Sequence, residues 1–263
     1  MVTRTLTTLL RLRLTIGYAA ALATVATTLL MLGPAVQEHV IRYTSTNLHN
    51  LGQGRLGTLI GSAFVTENGP IWVWLPGLVC LLGVAELLWR SRRVMITFAA
   101  GHVGATLIVA AGLATTIKLG WMPVSVAHDT DVGISYGAVA VLGALTAAIS
   151  ARWRPAWIGW WVSVGLLALC VNWDFTSGGH FVALLVGILL SLRFGSTARW
   201  TRMRVALFVV GVAFGYLVLV NTGLSLVMAP IAGVIGAVVA HSLAHWWRGR
   251  RTVPEQVLAA VTA

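Results

Sequence analysis

Apolar stretches of about 18 residues or more, parted by short connections that carry arginine clusters, recur along the whole of this chain. A run of that length reads as a membrane span, because a helix needs about 20 apolar residues to cross the hydrocarbon layer with its backbone polar groups bonded internally. The same feature rules out a soluble domain: 58% of the 263 residues are hydrophobic and only 10% are charged. The formal charge of +11 does not point to nucleic acid. The basic residues form short clusters between apolar runs, and no extramembrane region is large enough to dock a duplex. The expected fold class is all-α and polytopic, with the lipid bilayer as surrounding partner and no nucleic-acid partner.

The first run, Leu14 to Leu32, follows Arg4, Arg11 and Arg13 and closes at Gly33-Pro34. It is longer than a signal-peptide core and is read as span 1. Residues 34–69 are too polar to span and too apolar for a loose linker, which suggests a segment lying along the membrane surface. Further runs follow at 71–88, 94–117, 132–150, 156–171, 176–192, 205–220 and 224–246. Six spans thus fall in residues 14–194 and two in 195–247, between a basic N-terminus (1–13) and a basic tail (248–263).

Of the 18 lysines and arginines, only Arg42, Arg55 and Lys118 fall on the side opposite the N-terminus. That side collects Glu38, Glu67, Asp129, Asp131 and Asp174. Positive charge concentrates on the cytoplasmic side of a membrane, so the expectation is a multi-pass protein of the cell membrane with both termini in the cytoplasm. Cys80 and Cys170 sit inside apolar runs and read as small core residues, not as a disulfide.

This topology assigns depths. Gly133-Ile134-Ser135-Tyr136-Gly137 opens span 4 at its outer end, and His180 lies near the outer end of span 6. At about 1.5 Å per residue, hydroxyl and imidazole share a level to within a few ångströms. Alone, Ser135 reads as a small packing residue. With an imidazole at the same depth it reads as a nucleophile with its base. Gly133, Gly137 and Gly143 on span 4, with Ala183 and Gly187 on span 6, would let the two helices approach closely.

Other polar groups carry plainer readings. His102, framed by Gly101 and Gly104, is placed more than about 10 Å below Ser135, where an interhelical hydrogen bond is its expected role. His128, Asp129 and Asp131 read as solvated loop groups, and Glu86 as the partner of Arg90 four residues on. His241 and His245 are four apart with no cysteine or acid beside them. Neither a metal nor another cofactor is expected. No inverted repeat or pair of broken helices suggests a transporter.

At these residues the chain resembles the rhomboid family of intramembrane serine peptidases. The family's G-x-S motif falls on Gly133-Ile134-Ser135, with Gly143 further along the helix. Its late glycine–histidine motif falls on Gly179-His180, followed by Ala183 and Gly187. Gly83-Val84-Ala85-Glu86 with Ser91-Arg92-Arg93 looks like the end of the family's second helix, and the long first loop with Gly54-Arg55-Leu56 also suits it. The resemblance implies a six-helix core over residues 14–194 with two added C-terminal transmembrane helices. It also implies a Ser135–His180 dyad acting without metal on a transmembrane protein substrate near the outer face. The alternative is a pseudoprotease that binds a client transmembrane helix without cutting it.

Three positions depart from the family pattern. The residues that stabilise the oxyanion early in the second helix fall here near Pro70 and Trp74, neither of which is expected to serve. The residue after the serine, usually small, is Tyr136. Asn47, His49 or Asn50 of the first loop are the candidate substitutes. Losing one side-chain donor typically costs about 100- to 1,000-fold in rate.

Overall fold

A computed structural model describes residues 9–67, 69–132, 134–195, 200–220 and 222–251. Gly133, Arg4, Arg199 and the tail beyond 251 lie outside the described residues. Every regular element among those described is helical: α1 (Arg13–Leu32), α2 (Pro34–Thr44), α3 (Leu48–Gly52), α4 (Thr58–Gly61), α5 (Ile71–Lys118), α6 (Ser135–Ala144), α7 (Arg154–Asn172), α8 (Phe175–Ser191), α9 (Arg202–Leu219) and α10 (Gly223–Arg251). Five of them are long and apolar enough to cross a membrane. The protein is an all-α, multi-pass membrane protein.

The 48 residues of α5 would extend about 72 Å as one straight helix, more than twice the hydrocarbon thickness. Its backbone leaves helical geometry at Arg90, where φ is 69° and ψ is 159°. That residue separates two arms, 71–89 and 91–118, which correspond to the second and third expected spans. The break also overturns the Glu86–Arg90 pairing, because the i, i+4 geometry depends on an unbroken helix. Glu86 instead faces the start of α1. Its buried carboxylate accepts from the backbone N–H groups of Leu14 and Thr15 at 3.0 and 2.9 Å, and from the hydroxyls of Thr15 and Ser91 at 2.7 and 2.6 Å. A helix start leaves N–H groups unbonded and partly positive, and a carboxylate satisfies both needs.

Span 4 is shorter than its apolar run suggests. The α-helix α6 is followed by a 3₁₀ turn, Leu145–Ala148, and every residue from Tyr136 to Ala148 is buried. A helix apolar on all sides belongs inside the bundle. Enclosed by protein, it need not reach across the lipid, and its 14 residues with the 3₁₀ turn measure only about 20 Å.

Glycines set the contacts around this central helix. Gly143 lies against the Leu184 carbonyl and Gly187, and Gly187 lies against the Ala140 carbonyl, so α6 and α8 meet backbone to backbone. Ala183 is fully buried on the same seam. Gly101 of the second α5 arm touches Ala140 and the Tyr136 carbonyl, while a side chain at Gly137 would meet the Phe98 ring at 2.6 Å. On another side α9 closes over α6 through Gly215 against Leu142, and over the first α5 arm through Gly211 against the Leu81 backbone. The last helix, α10, lies along α7 at Gly159 and Gly236. Cys80 and Cys170 are free; Cys80 is half-buried and Cys170 is exposed on α7, so neither is a fully buried core residue.

Candidate functional site

Ser135 is the first residue of α6 and is half-buried. Its hydroxyl has no hydrogen-bond partner among the described residues. His180 sits in the second turn of α8 and is 5% exposed, and neither its Nδ1 nor its Nε2 has a hydrogen-bond partner. The two motifs do meet, but through a different side chain. The Tyr136 ring lies edge-on to the His180 ring, with centroids 5.3 Å apart at 84°, and it fills the hollow that Gly179 leaves. The Tyr136 hydroxyl is buried beside the Asp131 carboxyl and the Thr176 side chain, with neither close enough for a regular hydrogen bond. The Ser135–His180 hydrogen bond is therefore not formed in this structure.

Ser135 follows a clamp. The backbone N–H of Asp131 donates to the Ser45 hydroxyl at 2.8 Å, and its carbonyl accepts from the backbone N–H and the hydroxyl of Thr46, each at 2.9 Å. Burial pushes the Asp131 carboxyl up to about 6, against the opposing effect of the Thr46 hydroxyl. Asp131 is thus not a solvated loop charge. His128 is exposed, as is Asp129; the His128 ring packs on His49 with centroids 4.4 Å apart and its carbonyl accepts from the Asn47 amide at 3.3 Å.

The first-loop amides are engaged within the loop or with His128 of the loop before α6. The Asn47 side-chain oxygen caps α3 by accepting from the Asn50 N–H at 2.9 Å. The Asn50 amide donates to the carbonyls of Arg42 and Ser45 at 3.1 and 2.8 Å, and its oxygen accepts from Arg55 at 3.2 Å. His49 meets the Gln53 amide through Nε2 at 2.9 Å. None of the three points a free donor at Ser135. In the second helix, Pro70 precedes α5 and has no N–H. Trp74 differs from expectation, because its indole N–H is a donor that is buried and has no acceptor.

A second serine–histidine pair is joined through one ring nitrogen, Nε2, while His102 Nδ1 is buried without a partner. Ser62, in the 3₁₀ turn Ser62–Phe64, lies 3.1 Å from His102 Nε2, and the two residues are 0% and 4% exposed. Nothing in the first loop marked Ser62 in advance, since a serine among small residues carries no pattern. His102 does not lie far below Ser135 either. Its neighbour Gly101 packs on Tyr136 and Ala140, alongside the first turns of α6. At the far end, the His241 ring stacks on Trp153.

A sequence profile whose family is described as rhomboid-like protein matches residues 14–199. The chain belongs to the rhomboid-like family. The match covers α1 to α8 and leaves α9 and α10, both long and apolar enough to cross a membrane, beyond it. No curated protein and no solved structure matches the chain. Membership of the rhomboid-like family is compatible with an intramembrane serine peptidase and with an inactive relative.

Proposed function

We propose that this protein is a rhomboid pseudoprotease: it binds transmembrane helices of client proteins in the cell membrane and does not cleave them. The observation that carries this reading is the state of His180. A general base must hold its nucleophile within about 2.6–3.2 Å, and here both ring nitrogens are buried without a partner while Tyr136 occupies the ring's flank. Support for helix binding comes from α9. The family core already accepts one helix beyond its own six, seated through Gly211 and Gly215 on the first α5 arm and α6. Small residues at such spacing are the usual means of helix association in lipid. We place the basic end of the bundle, with both termini, in the cytoplasm, a placement the arginine distribution supports.

A second reading keeps the Ser135–His180 peptidase acting near the outer face. Two observations favour it: serine and histidine stand on helices packed through Gly143 and Gly187, and the buried Trp74 N–H is an unused donor. A serine-directed covalent probe separates the readings. Purified folded protein, beside an active rhomboid control, is expected to give no labelling. Labelling that disappears in Ser135→Ala and in His180→Ala would establish the peptidase and overturn the proposal.

A further inference from the structure

Beneath α2, between the first loop and the loop before α6, lies an open bowl of about 390 Å³. Its wall carries Arg42, Arg55, His39, His49, His128 and Tyr43. Arg42 pairs with Glu38, the one ion pair found among the described residues. Asp131 and Asp129 line a separate small cavity beside the bowl, and neither lines the bowl itself. The bowl's lining holds two guanidinium groups and three imidazoles beside Tyr43, Asn47 and Asn50; no acid is among these residues, and Glu38 bonds to Arg42 from outside the lining.

This lining is held in place. The Arg55 guanidinium donates to Asn50 Oδ1 at 3.2 Å and stands 5.5 Å over the Tyr43 ring. Asn50 is buried and fixed in turn by its two carbonyl partners. His49 and His128 brace each other ring to ring. The imidazoles do not form a metal set, since no group of three such ligands converges among the described residues. A guanidinium whose fork is fixed in advance recognises phosphate oxygens with little further loss of freedom. The volume lies within the range of small-ligand sites.

We propose that this bowl binds a phosphate group, carried either by an anionic phospholipid of the adjoining leaflet or by a soluble phosphorylated molecule. Leu56 and Ile60, which follow Arg55 in the chain, have exposed side chains that offer apolar surface to a lipid's acyl chains. The site is independent of the Ser135–His180 question.

The test is native mass spectrometry of the full chain released from micelles holding equal amounts of phosphatidylglycerol and phosphatidylcholine, with inorganic phosphate as a separate competitor. Both lipids carry the phosphodiester, so the discrimination rests on charge: the choline ammonium of phosphatidylcholine is repelled by the guanidinium lining, and retention of phosphatidylglycerol about tenfold over phosphatidylcholine is expected. Arg42→Gln with Arg55→Gln should bring the ratio close to one, while Arg92→Gln at the opposite end should leave it unchanged. Because Arg55 also braces Asn50, the single variant Arg42→Gln is measured too, and an intermediate ratio is expected. If phosphatidylglycerol is not preferred but millimolar phosphate raises thermal stability over chloride in the wild type and not in the double variant, the ligand is the soluble one. Equal retention with no phosphate effect, or a preference that survives the double variant, overturns the proposal.

Discussion

The molecule contains two serine–histidine pairs, and they are opposites. Ser62 and His102 fit no expected motif, yet they share a buried hydrogen bond of 3.1 Å. Ser135 and His180 stand where the family motifs put a dyad, yet both nitrogens of His180 are without partners. The difference lies in how each serine is carried. Ser62 rides on a short 3₁₀ turn of the first loop, whose register can adjust until the hydroxyl meets the ring. Ser135 begins a helix whose position is already fixed by backbone contacts at Ala140, Gly143 and Gly187. Once that seam is set, the next residue decides what His180 sees, and Tyr136 is there. A hydroxyl and an imidazole on adjacent helices become a dyad only when the side chains between them leave room.

The largest expected effect breaks the connected pair. His102→Ala removes a buried ring, opens a cavity beside Phe98 and strands the fully buried Ser62 hydroxyl. The expected loss is about 3 kcal/mol by reversible unfolding in mixed micelles, with Ser62→Ala losing about 1 kcal/mol. Equal small losses at both positions would mean that the bond contributes nothing and that the contrast with Ser135–His180 is empty.

The clamp ahead of Ser135 gives the next effect, and its sign is set by Asp131. This carboxyl titrates at about 6 in the folded protein against an ordinary 3.8. The folded state therefore holds a proton that the unfolded state has released between those values. The contribution is fully present below about pH 4 and is lost as the pH rises through about 6, with a total of about 2–3 kcal/mol. Wild-type stability should fall across that window more steeply than that of Asp131→Asn. Parallel curves for the two proteins would show that burial of Asp131 is not retained in solution.

Much of the bundle was legible because lipid imposes simple rules. Apolar length marked the spans, and the glycine rows on spans 4 and 6 anticipated the seam that Gly143 and Gly187 make. What the sequence hid were relations between distant residues. Glu86 looked like half of a local ion pair, but its partners Leu14 and Thr15 lie 72 and 71 residues away. The short length of α6 was hidden because an enclosed helix and a lipid-crossing one are equally apolar. The level of His102 relative to Ser135 was hidden with it, since it follows from Gly101 packing on Tyr136 and Ala140. The rotation of His180 could not be read at all, since it depends on the Tyr136 ring entering a hollow at Gly179 on another helix.

The smallest effect is the most decisive for the unconnected pair. Phe at position 180 keeps a ring of similar shape against Tyr136 and removes two buried nitrogens that have no partners. Each unsatisfied buried polar atom costs about 1–3 kcal/mol, part of which repacking around the larger ring offsets. His180→Phe should therefore be neutral or stabilising by about 1 kcal/mol, the opposite sign to His102→Ala. A double-mutant cycle with Ser135→Ala makes the point independent of packing. If Ser135 and His180 do not touch, the two changes add within about 0.5 kcal/mol. A coupling of 1 kcal/mol or more, with His180→Phe destabilising, would mean that the hydrogen bond exists in solution, and the motif pair would then join Ser62 and His102 as a connected one.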